Sequence, residues 1–214
     1  MNTLVKQKEL RELLASLKKT VTVNIDVKDF DYLKDNNYSL CFAKKVQDKY
    51  TVVWKALKEY LPVNIFSWTP QYTLSGTNHY EASIEVVTNT NVVEIGLGEI
   101  SELTKNGLFL EPISGGKETS INISSSYDPG IHPCVSQISS DENGMQTVTP
   151  IYVAPLSVAP GEISLTPKEV VAVWFEQDVT TKTMISNAGT NSYTFDLTSK
   201  NEDHITYKDK KWIK

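Results

Sequence analysis

The feature that most constrains this chain is a change of hydrophobic period at residue 20. Before it, Leu10, Leu13, Leu14 and Leu17 recur at i, i+3, i+4 and i+7, one face of an amphipathic helix. Thr3 suits its N-cap, and Lys18 and Lys19 suit the negative end of its dipole. After it, Val21, Val23, Ile25 and Val27 alternate with Thr20, Thr22, Asn24 and Asp26, the pattern of a half-buried strand.

Period two then persists. Segments 38–46 and 50–57 flank the polar link Gln47-Asp48-Lys49 and read as a hairpin. Segments 62–68, 71–75, 82–88 and 92–97 continue the series, and turns follow at Asn106-Gly107, Gly115-Gly116 and Asp141 to Gly144. Segments 121–123, 135–138 and 146–153 read as strands. Pro155, Pro160 and Pro167 mark the next stretch as edge or loop. The apolar run 170–175 reads as a core strand, and 183–185, 192–197, 204–207 and 211–213 finish the pattern. Short helical turns are compatible with 55–61 and 100–105. No crossover helices alternate with the strands, so the pattern predicts a mainly β fold: an antiparallel β-sandwich preceded by one N-terminal amphipathic helix. The expected division is a helix over 1–19 and a single sandwich domain over 20–214.

Charge narrows the function. The chain has a formal net charge of -5, Arg11 is its one arginine, and no Lys or Arg occurs between Lys117 and Lys168. Guanidinium forks are the usual readers of phosphates and guanine edges, so nucleic acid is excluded as an expected partner. The first nineteen residues are charged throughout and lack the apolar run of a classical signal peptide. Cytoplasmic synthesis is expected, with release by a non-classical route left open. Two cysteines, Cys41 and Cys134, are too few for a disulfide framework and read as free thiols, a single long-range disulfide being the alternative.

Motifs for catalysis are sparse. There is no P-loop and no G-x-S-x-G elbow, and Gly96-Leu97-Gly98 lacks the third glycine of a dinucleotide fingerprint. His132-Pro133-Cys134 with Asp128 has ligand types suited to zinc, but a loop explains the same residues, and neither metal nor cofactor is expected. Glu94, Glu99 and Glu102 cluster in sequence; a glycosidase needs two carboxylates across a cleft, whereas solvated strand ends need nothing further. Asn37 and Asn122 begin Asn-x-Ser sequons, which matter in a secretory pathway.

Three features suit binding. Phe66 to Tyr72, followed by Ser75 to Tyr80, interleaves aromatic and polar residues, as sugar faces, lipid headgroups and choline-like cations require. Trp68, Tyr72, His79 and Tyr80, with Asn78 as the polar reader, are the candidate ligand-binding residues. Phe66 and Trp68 also share one strand face and read equally as core. The Ser/Thr-rich tract 118–149, with Ile121 and Ile123 alternating against Ser120, Asn122 and Ser124, is compatible with a membrane-inserting hairpin and also with a surface hairpin. The leucine stripe suits docking or a membrane. The expectation is a non-enzymatic protein that binds a glycan or lipid headgroup, with a membrane surface as a further partner and a toxin role in view. A self-associating homo-oligomer is the alternative, ahead of a glycan hydrolase.

Overall fold

The computed structural model describes residues 16–140 and 143–214. All but the last residues of the helix expected over 1–19 lie outside that range. Among the described residues the fold is mainly β, with three sheets and one short helix. The elements are β1 (Lys19–Ile25), α1 (Val27–Asp35), β2 (Ser39–Val46), β3 (Lys55–Leu57), β4 (Val63–Thr77), β5 (Val93–Ile95), β6 (Glu99–Leu103), β7 (Ile113–Ser114), β8 (Ile121–Ser125), β9 (His132–Ser140), β10 (Gln146–Val153), β11 (Gly161–Leu165), β12 (Pro167–Glu176), β13 (Tyr193–Asp196), β14 (Glu202–Lys208) and β15 (Lys211–Ile213).

The first sheet runs β10-β9-β4-β1-β14-β15, with β5 also on β4; the second runs β13-β12-β2-β3 and the third β11-β8-β6-β7. Most pairs are antiparallel. Two are parallel, β1 with β14 and β6 with β8, which departs from the all-antiparallel expectation. β4 is the spine. Its first half pairs with β1, its second half with β5, and β9 runs along its other edge. The two segments expected at 62–68 and 71–75 are thus one strand, with a register break between Trp68 and Tyr72.

Alternation decides what is buried. Val21, Val23 and Ile25 face the core, as do Leu40, Phe42 and Val46 of β2. Phe42 of β2 stacks on Phe66 of β4 at 4.8 Å between centroids, and Trp54 meets Phe66 and Trp68 edge-on, so these two strands touch through aromatic rings. Cys41 and Cys134 are free and buried in separate small clusters. Burial pushes both thiols up, Cys134 to about 11. Ile121 and Ile123 of the Ser/Thr-rich tract are core residues. Asn122 is buried too; its amide donates to the carbonyls of Glu99, Lys117 and Ser120 while its Oδ1 accepts from Ser164.

Three local expectations change. β3 realises the end of the strand read over 50–57, whereas segment 100–105 gives most of strand β6, not helix, because it joins a sheet through tertiary pairing. Segment 82–88 is irregular and holds one isolated bridge, Glu85 to Thr183. The first strand stops at Ile25, and Asp26 caps α1 by accepting from the Lys28 backbone N–H at 3.1 Å.

Candidate functional site

A cleft of about 490 Å³ opens beside the register break of β4. Pro70, Gln71, Tyr72 and Thr73 form one wall. Opposite Thr73 in the β4–β5 register stands Glu94, so the two side chains share a face. Beyond β5 the chain turns at Gly98, whose φ of +83° favours glycine, and returns as β6. Glu99 at the start of β6 accepts from the Gly96 backbone N–H at 2.6 Å, which ties its carboxylate to that turn. The loop before β7 adds Glu111 and Pro112, and β7 is placed by the pairing of Glu99 with Ser114. Ile138 of β9 and Val148 of β10, direct partners in register, complete the floor.

Three carboxylates therefore meet amide, hydroxyl and apolar groups, and no Lys, Arg or His is among the described residues lining the cleft. Glu94 and Glu111 are exposed and Glu99 half-buried. Among the described residues no three His, Cys, Asp or Glu side chains are placed to hold a metal ion. Such a lining offers hydrogen-bond acceptors to hydroxyl or amino donors.

Behind the Tyr72 wall lies a buried charged group. Lys44 is fully buried, and its Nζ stands 3.1 Å from both Glu169 carboxylate oxygens. The Trp68 indole N–H donates to Glu169 Oε2 at 2.7 Å. Lys44 Nζ also lies 5.1 Å from the Trp68 ring centroid and 5.7 Å from that of Trp54. Burial, then the Glu169 carboxylate, pushes the Tyr72 hydroxyl up, so it stays protonated.

The five residues singled out from sequence do not meet. Trp68 is 1% exposed and belongs to the core, because Phe66 and Trp68 alternate inward. Tyr72 is 4% exposed and reaches the cleft wall. Asn78, His79 and Tyr80 follow the far end of β4, about 20 Å from Tyr72 at the rise of an extended strand. There the Asn78 backbone N–H donates to Asn89 Oδ1, and the Tyr80 hydroxyl donates to the Ile185 carbonyl. Asn78 and His79 are exposed and Tyr80 is half-buried. Of the clustered glutamates, Glu94 and Glu99 line the cleft, while Glu102 faces a shallow depression with Leu110 and Ile113. His132 Nδ1 lies 2.7 Å from the Ala154 carbonyl oxygen, and Cys134 is fully buried.

Sequence reasoning missed Glu111, Lys44 and Glu169. Glu111 carries no local signal, since only the fold brings it to Glu94. Lys44 did carry one: it occupies the inward position between Phe42 and Val46 in an alternating strand. No protein-family model, curated protein or solved structure matches this chain.

Proposed function

We propose that this protein is a non-enzymatic binding module for a glycan, neutral or aminated, held in the acidic cleft of a β-sandwich made by the first two sheets. The observation that carries this reading is the lining: three glutamates with no cation among the described residues, beside Gln71, Thr73, Pro70, Ile138 and Val148. Carboxylates accept hydrogen bonds from sugar hydroxyls and pair with amino groups. Pro70, Ile138 and Val148 offer apolar surface to a ring face. The volume lies within the range of small-ligand sites. The same lining repels a sulfated or carboxylated sugar, and the phosphate of a lipid headgroup finds no positive partner there.

The test is calorimetric titration with three oligosaccharides of equal length: neutral, aminated and sulfated. The aminated chain binds best and the sulfated one least. Glu94→Gln and Glu111→Gln each weaken the aminated ligand about tenfold, as loss of a charge-assisted contact does. Preference for the sulfated chain, or unchanged affinity in both variants, overturns the reading. Release of new reducing ends makes the cleft that of a hydrolase.

A further inference from the structure

Two irregularities of the β-sheets converge on Lys44. The β4–β9 register breaks between Trp68 and Tyr72, and the β12–β2 register breaks between Pro167 and Val171, on either side of Glu169. Bulges of this kind re-aim side chains and are frequent near functional sites. Here they bring the Trp68 indole and the Glu169 carboxylate to one buried amine. Residues 69–71, between Trp68 and Tyr72, include the Pro70 and Gln71 of the cleft wall. A second tie comes from β9, where Gln137 Nε2 donates to the Thr69 carbonyl at 2.7 Å.

We propose that Lys44 and Glu169 are positioning residues, a protonation-sensitive brace that holds the 69–71 bulge and thereby one wall of the cleft. Only the final step, the effect on ligand, rests on the binding function proposed above. With Lys44 charged, Glu169 is drawn inward and Trp68 keeps its acceptor. When Nζ gives up its proton, passed to water through the Glu169 carboxylate it touches, that carboxylate loses its counter-ion. The Glu169 side chain is 25% exposed, so it has a path to water that the fully buried Lys44 lacks. Its departure leaves the Trp68 N–H without the Glu169 acceptor and the bulge with one tie fewer beside the Gln137 bond.

The groups facing Lys44 set where this happens. Burial lowers its affinity for the proton, the Glu169 carboxylate of β12 raises it, and Lys19 of β1 lowers it, giving a value of about 8. Lys19 itself is fixed by the Leu197 and Lys200 carbonyls and Asn201 Oδ1. From β4 the facing groups are the neutral Trp68 ring and the protonated Tyr72 hydroxyl, and from the segment after β2 the Trp54 ring.

The experiment needs no ligand at first. Tryptophan emission of the full chain is titrated from neutral to alkaline pH in wild type, Lys44→Met and Glu169→Gln, with hydrogen exchange of residues 69–72 compared at each pH. Wild type shows one step with a midpoint near 8, and exchange at 69–72 rises across it relative to Lys44→Met. Lys44→Met lacks the step, and Glu169→Gln moves it to lower pH by removing the partner that favours the charged amine. A step that persists in Lys44→Met overturns the brace. Should that variant not fold, a midpoint unmoved or raised in Glu169→Gln does the same. Calorimetry with the neutral oligosaccharide, whose own charge does not change with pH, then shows affinity falling across the step. Constant affinity across an observed step overturns the link to the cleft. Failure to bind at any pH sinks the proposed function while emission and exchange still decide the brace.

Discussion

Two sets of carboxylates lie on either side of the β4 bulge, and the fold treats them in opposite ways. Glu169, behind it, is partly buried, shared between an amine and an indole N–H, and committed to holding structure. Glu94 and Glu111, in front, are exposed, and no Lys, Arg or His lines the cleft with them among the described residues. Removing a partner from a buried pair strands a charge, whereas removing a solvated carboxylate strands nothing. The difference separates residues that give the cleft its shape from residues free to meet a ligand.

The sharpest way to break the comparison is Glu169→Ala. It leaves Lys44 fully buried without a counter-ion and Trp68 without an acceptor, and urea denaturation should show a loss of about 3–5 kcal/mol. Lys44→Met should cost clearly less, since the carboxylate it leaves behind reaches water. Equal losses in the two variants would mean that burial is not what distinguishes the partners.

The pH dependence separates the buried groups further. Lys44 binds its proton less well folded, at about 8, than its ordinary 10.5, so its contribution to stability grows as pH rises through that window. Cys134 has the opposite sign: its thiol, at about 11 when folded against 9.0 otherwise, loses stability for the fold as pH rises from 9.0 through 11. Denaturation midpoints between pH 8 and 11 should therefore fall more steeply in Lys44→Met than in wild type. At the acid end Asp203 works against its own desolvation. Hydrogen bonds from Lys200 and Lys214 hold it at about 2, so its contribution is lost as pH falls from 3.8 through 2.

Smaller effects belong to the front of the bulge. Glu94→Ala and Glu111→Ala should change stability by no more than about 0.5 kcal/mol while weakening ligand binding. Smallest of all, His79→Ala should alter neither, because that turn lies far along β4 from the cleft; a measurable loss of affinity would place the ligand at the other end of the strand.

The strands were legible because their burial alternates locally: Val21, Val23 and Ile25 name their own face. Where pairing is set by distant residues the signal failed. Nothing near residue 103 says that β6 will lie parallel to β8, and the apolar spacing there fits a helical turn equally well. α1 was hidden because Val27 extends the alternation, although it is 69% exposed and Asp26 is the cap. The site was legible in part. Tyr72, Glu94 and Glu99 were in view, but Trp68 could not be told from a ligand platform by its residue type. Glu111 comes from a loop that only the β6–β7 pairing brings beside β5.

The parallel pairing of β1 with β14 joins residues 182 positions apart in the interior of the first sheet, with β4 on the other side of β1. During translation at about 5–20 residues per second, β1 waits roughly ten to forty seconds for that neighbour to emerge. Throughout that interval one flank of β1 has unfilled backbone hydrogen bonds. Synthesis of this chain thus carries a window open to aggregation, and its yield in the cell should respond to chaperone supply more than its final stability suggests.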